Sequence, residues 1–143
     1  MPLYRESQVT LSRLLVQLDC LDYPKEKLDI LLVCEEDDAA TQAVLTALRP
    51  PPTMQLVVVP PSFPRTKPKA CNAALIQARG DYIVIYDAED SPAADQLKRA
   101  YARFQTGDAR LACVQASLNY YNRKENVLTQ LFSIEYSALF RLL

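Results

Sequence analysis

The chain has 143 residues, half of them hydrophobic and 23% charged, with 16 Lys and Arg against 17 Asp and Glu for a net charge of −1. That is the make-up of one soluble globular domain able to bury a core, and it lacks the basic excess of a nucleic-acid binder. Histidine is absent, which excludes Ser-His-Asp and Cys-His nucleophile systems, His metal ligands and any His general base, and leaves carboxylates, lysine, tyrosine or a bound cation.

Met1 leads straight into "PLYRES", with no basic n-region or apolar h-region, so no signal peptide is expected. No run of about 18 uncharged apolar residues occurs either, which makes the chain a soluble, cytoplasmic one by expectation. A regular α/β domain would open with a strand, whereas this chain begins in a turn, "PLYRE". Residues 7–21 then place Val9, Leu11, Leu14, Leu15 and Leu18 at helical spacing, and the residue before Pro24 is pushed out of the α region, ending the helix. "LDILLVC" (28–34) reads as a strand, 39–48 as a short Ala/Leu helix closed by "RPPP", and "MQLVVVP" (54–60) as the next strand. A Pro-rich loop, "PPSFPRTKP", precedes a helix over 68–78. "YIVIY" (82–86) is a third strand, and Ser91 as N-cap with Pro92 at the first helical position opens a helix running to Gly107. Residues 111–121 read as extended and 125–143 as a long apolar helix that wants a partner or a membrane surface. The alternation of strands and helices predicts a parallel α/β sheet. Cys20, Cys34, Cys71 and Cys113 are far apart, without C-x-x-C spacing. Buried free thiols in a reducing compartment are expected rather than a zinc site.

Ligands of open parallel sheets bind beyond the carboxyl ends of the strands. Three features land there: "EEDD" (35–38), the basic loop with Arg65, Lys67 and Lys69, and "DAED" (87–90). Carboxylates beside lysines complement a divalent cation on a diphosphate, since Mg²⁺ commonly takes one or two carboxylates plus substrate phosphates. Lys supplies compact positive charge to the same phosphates, and a helix beginning near Pro68 directs backbone N–H groups at an anion. The same residues also have plainer roles. "EEDD" can be an acidic turn favouring the dipole of helix 39–48. Asp90 reads as a turn or helix-start residue, Arg65 and Lys67 as solvated loop charges, Tyr120 and Tyr121 as core, and Asn122 and Asn126 as turn and cap residues.

"PLYRE", "LDYPKEKLDILLVCEEDD", "KPKACNAAL" and "GDYIVIYDAEDSP", in this order and spacing, resemble the donor-binding half of family-2 glycosyltransferases, especially the cellulose-synthase-like membrane polysaccharide synthases of bacteria. "CVQASLNYYNRKENVLTQLFSIEY" is similar to that group too. The resemblance implies a nucleotide-diphospho-sugar transferase fold: α/β, Rossmann-like, glycosyltransferase A-type, a three-layer sandwich in truncated form. It implies a single partial catalytic domain, 1–143, without the opening strand and the acceptor and base region. "DAED" would be the D-x-D metal motif for Mg²⁺ or Mn²⁺, with Asp87 first and Glu89 standing where the family usually has its second Asp. Glu36, with Glu35, would sit where a family carboxylate recognises the base, usually uracil. Tyr4 and Glu6 would lie near the nucleotide, and Lys69 would meet the donor phosphates with Asn72 beside it. The family's T-E-D-like base segment and Q-x-x-R-W motif have no counterpart in these residues, so the catalytic base is expected outside this chain.

The function implied is the donor-binding part of an inverting, metal-dependent glycosyltransferase moving sugar from a UDP-sugar to a polysaccharide or other glycan, the parent sitting at the cytoplasmic face of the inner membrane. The alternative is a non-catalytic module that self-associates through its open sheet edge and apolar last helix. A nucleotidyltransferase or dinucleotide oxidoreductase is disfavoured, because only Gly80 and Gly107 exist and no Gly-rich phosphate loop follows a first strand.

Overall fold

The computed structural model describes residues 1–63 and 66–116, together with Val127, Gln130 and Leu131. The chain divides into two compact units, Met1–Arg99 and Ala100–Leu143.

The first unit is built on a three-stranded parallel sheet in the order β1 (Pro2–Leu3), β2 (Ile30–Glu35), β3 (Met54–Val59). Leu3 lies opposite Cys34, and β2 pairs with β3 from Ile30↔Met54 to Glu35↔Val59. Helices α1 (Gln8–Asp19) and α2 (Ala39–Leu48) are the crossovers between successive strands, and α3 (Lys67–Leu75) follows β3. The strand period of two decides the layers. Leu32 and Cys34 join Leu11, Leu14 and Leu18 of α1 and Leu45 of α2 in one core. Val33, Val57 and Val59 pack with Ala70 and Ala74 of α3 in the other. A central strand buried on both faces is what a near-continuous run such as "ILLVC" specifies.

Local chemistry sets the helix starts. The Ser7 hydroxyl accepts the Thr10 N–H at 3.1 Å, capping α1, and the Asp38 carboxylate accepts the Thr41 N–H at 3.2 Å, capping α2. In α1 the buried stripe is Leu11, Leu14 and Leu18, with Leu15 packed at its margin; Val9 falls outside it and is exposed.

Several expectations are corrected. The opening "PLYRE" is not wholly a turn, because Pro2 and Leu3 pair with β2. "YIVIY" makes no ladder: Tyr82, Ile83, Val84 and Ile85 are half-exposed, and only Tyr86 and Ala88 reach the core. A strand needs a neighbour's backbone groups along its length, and among the described residues the sheet pairs only β1, β2 and β3. The helix expected from Ser91 starts five residues later, as α4 (Gln96–Thr106). Upstream of it the backbone is committed elsewhere: the Ala94 carbonyl accepts the Asp22 N–H at 2.9 Å and the Ala93 carbonyl closes a turn with Gln96 N–H at 2.9 Å. Of the cysteines, Cys34 is buried and Cys71 partly so, whereas Cys20 and Cys113 are exposed; all four are free. Burial pushes the Cys34 thiol up to about 12, so it packs as a neutral hydrophobe.

In the second unit, residues 111–116 form no strand, and Val127, Gln130 and Leu131 are helical and exposed. The remainder of the extended segment 111–121, most of helix 125–143, Arg65, Tyr120, Tyr121, Asn122 and Asn126 lie outside the described residues. Among the described residues no helix is long and apolar enough to cross a membrane.

Candidate functional site

The carboxyl ends of the three strands deliver their following residues to one edge of the sheet, as parallel topology requires. After β1 come Tyr4, Arg5 and Glu6; after β2 come Glu35 to Asp38; after β3 the chain passes Pro60 and enters α3 at Lys67. The turn 87–90 meets the start of α3 through the pair of Asp87 with Lys67.

Asp38 organises the first two of these. It is 6% exposed, caps α2 with one carboxylate oxygen and accepts the Arg5 N–H with the other. Burial alone would raise its pKa, but the bonds from Arg5 and Thr41 and the Arg5 charge hold it below the ordinary carboxylate value. The Thr41 hydroxyl accepts the Glu6 N–H at 3.1 Å. Arg5 sits in the left-handed region at φ 55°, a strained conformation for a residue with a Cβ, and its guanidinium lies 5.0 Å from the centroid of the Tyr4 ring. Tyr4 is thus exposed at the strand end with its ring partnered by a cation.

Glu35 and Lys69 form a buried ion pair at 2.8 Å, their side chains 8% and 16% exposed. The Lys69 ammonium also donates to the Pro60 carbonyl at 3.0 Å, so this lysine ties the end of β2 to the first turn of α3. Glu36 is exposed at the rim; its N–H continues the β2–β3 ladder to the Val59 carbonyl at 2.9 Å, and the Gln42 amide donates to the Glu35 and Glu36 carbonyls. Asn72 is exposed one turn along α3 from Lys69.

The turn 87–90 is closed on itself: the Asp90 carboxylate accepts the Asp87 N–H at 2.7 Å and the Asp87 carbonyl accepts the Asp90 N–H at 3.1 Å. Asp90 is therefore the turn residue the sequence suggested. Tyr86 and Ala88 are buried while Asp87 is half-buried and Glu89 exposed, an alternation that leaves the Asp87 and Glu89 carboxylates at the surface. Lys67 donates to the Asp87 carboxylate. That pair was hidden in the sequence, because the partners are 20 residues apart and Lys67 read as a solvated loop charge.

Burial raises the Glu6 pKa, and the negative charges of Glu89, Asp38 and Asp87 add to that rise. Among the described residues no three of the metal-ligating side chains are close enough to form a ready-made cage. Asp87 and Glu89 carry hard carboxylate oxygens, the donor chemistry that Mg²⁺ or Mn²⁺ would take alongside water and substrate oxygens. Residues the sequence did not single out are Arg5 and Thr41, which with Asp38 of the acidic turn fix the loop carrying Tyr4 and Glu6. A Ser/Thr/Asp cap pattern, D-x-x-T at 38–41, was the signal for Asp38 and Thr41.

A three-stranded parallel sheet with helical crossovers is the core of a truncated α/β fold of the glycosyltransferase A type. A family model for glycosyl transferase family 2 matches residues 1–142, and the chain belongs to that family. It is 25% identical over 125 residues to a beta-monoglucosyldiacylglycerol synthase of Synechocystis sp., covering 83% of this chain and 26% of that protein. It is 27% identical over 120 residues to a dolichyl N-acetyl-alpha-D-glucosaminyl phosphate 3-beta-D-2,3-diacetamido-2,3-dideoxy-beta-D-glucuronosyltransferase of Methanococcus voltae, covering 82% of this chain and 37% of that protein. The chain thus spans about a quarter to a third of the length of these curated relatives. No solved structure matches it.

Proposed function

We propose that this chain is the donor-binding part of an inverting glycosyltransferase that takes a UDP-sugar with Mg²⁺ or Mn²⁺ and serves a glycan or lipid-linked acceptor. The observation that carries the reading is the placement of two acid–lysine pairs, Glu35 with Lys69 and Asp87 with Lys67, beyond the carboxyl ends of a parallel sheet in a family-2 chain. Both relatives are named for β-linked products, which single displacement on an α-linked donor would give.

In this reading Tyr4 offers an apolar ring face to the base, and Glu36 accepts from the base edge at the rim. Lys69 holds the β2 end and the α3 start in fixed relation through Glu35, so the first turn of α3 and Asn72 face the diphosphate in one geometry. Asp87 and Glu89 would hold the divalent cation, which when bound neutralises charge on the leaving diphosphate. The base that activates the acceptor hydroxyl lies outside these residues. Membrane association of the parent, at the cytoplasmic face, belongs to the same proposal.

The test is thermal unfolding with uridine diphosphate and Mn²⁺. Saturating both should raise the wild-type Tm by about 5 °C or more, while Asp87→Asn should show no metal-dependent rise. An equal rise in Asp87→Asn contradicts the assignment.

A second reading, a non-catalytic self-associating module, is favoured by one observation: Tyr82, Ile83, Val84 and Ile85 expose an apolar run of strand-forming residues. It predicts concentration-dependent oligomers in sedimentation that Ile83→Lys dissolves, with no nucleotide bound.

A further inference from the structure

The two lysines that open α3 stand two residues apart and are held in opposite ways. Lys69 is largely covered, its side chain 16% exposed, and its ammonium is divided between the Glu35 carboxylate and the Pro60 carbonyl. Lys67 is 47% exposed and reaches the Asp87 carboxylate, itself 45% exposed. A buried, doubly bonded ammonium is fixed, because stripping its partner leaves a charge out of water. An exposed Lys–Asp pair contributes little and exchanges readily.

The turn carrying Asp87 does not depend on that exchange. Its geometry is set by the two bonds between Asp87 and Asp90, both through the Asp87 backbone, so the side-chain carboxylate can change partner without moving the chain. Lys67 has a flexible four-carbon stem, able to carry its charge a few ångströms away. An ammonium and a divalent cation repel each other across a single carboxylate, so arrival of the cation weakens the exposed Lys67–Asp87 pair.

We propose that Lys67 is a positioning residue of the donor site: it holds the Asp87 carboxylate until a divalent cation takes it, and then transfers its ammonium to the donor diphosphate. This rests on the donor-site reading above. It makes Lys67, rather than Lys69, the lysine that changes partner on binding. Cation entry and diphosphate capture become linked steps, since the charge released from the carboxylate is the charge gained by the phosphates.

The test is Mn²⁺ binding to the whole chain, followed by electron paramagnetic resonance of the free ion, and then uridine diphosphate binding at saturating Mn²⁺, for wild type, Lys67→Met and Lys67→Arg. Lys67→Met should bind Mn²⁺ alone about three- to five-fold tighter, the size of a lost exposed ion pair. It should bind uridine diphosphate about ten-fold more weakly, the size of a lost charged hydrogen bond. Lys67→Arg should return both towards wild type. The opposite signs are the signature, because a general loss of structure weakens both. If wild type binds Mn²⁺ and uridine diphosphate but Lys67→Met is unchanged, or both affinities fall together, the role of Lys67 is overturned and the donor site stands. If wild type binds neither, the donor-site reading falls and the proposal with it.

Discussion

Asp38 accepts amide hydrogen bonds from Arg5 and Thr41 on its two oxygens, joining the loop after β1 to the start of α2. Asp38→Asn keeps one acceptor and loses the other along with the charge, and should destabilise the fold by about 1–2 kcal/mol at neutral pH in denaturant titrations. Because the folded pKa is depressed, this stabilisation is complete above the unfolded carboxylate value of about 3.9 and fades as pH falls through the lower folded value. The gap between wild type and variant should therefore close in acid. Glu35 and Lys69 behave differently. Removing Lys69 alone leaves a buried carboxylate and should cost about 3 kcal/mol, whereas Glu35→Leu with Lys69→Met should recover most of that. The sequence singled out Glu35, Lys69 and Asp87 as charges at strand ends, and the structure puts them there. What it could not convey was who pairs with whom: Glu35 with Lys69 across 34 residues and Lys67 with Asp87 across 20 are long-range choices with no local pattern.

At the scale of elements, strands with buried neighbours on both sides were legible from composition. "ILLVC" and "MQLVVV" became β2 and β3 within two residues of the expected bounds, and apolar spacing placed α1 and α2 where they form, although their caps Ser7 and Asp38 were not read as such. "YIVIY" failed the same reading because a strand is a relation between segments: its pattern is right, but the ladders among the described residues join only β1, β2 and β3. Hydrogen exchange should show this directly, with the amides of 82–85 exchanging far faster than those of β2. Substitution should agree: Leu32→Ala, at a fully buried site, should cost about 2–5 kcal/mol, while Ile83→Thr should stay within about 0.5 kcal/mol. The late start of α4 has the same origin, since the bond from Asp22 N–H to the Ala94 carbonyl links segments that no local rule connects.

For the whole molecule, the family assignment and the topology give a consistent frame: a sheet that presents acids and lysines at one edge, and a chain covering about a quarter to a third of its curated relatives. The central claim is that this edge is a donor site whose affinity depends on a cation at Asp87 and Glu89. Calorimetric titration of the chain with uridine diphosphate, with and without Mn²⁺, tests it most directly. The account predicts saturable one-to-one binding only when Mn²⁺ is present. Binding of equal strength without metal, or no binding by a chain shown to be folded, would contradict it.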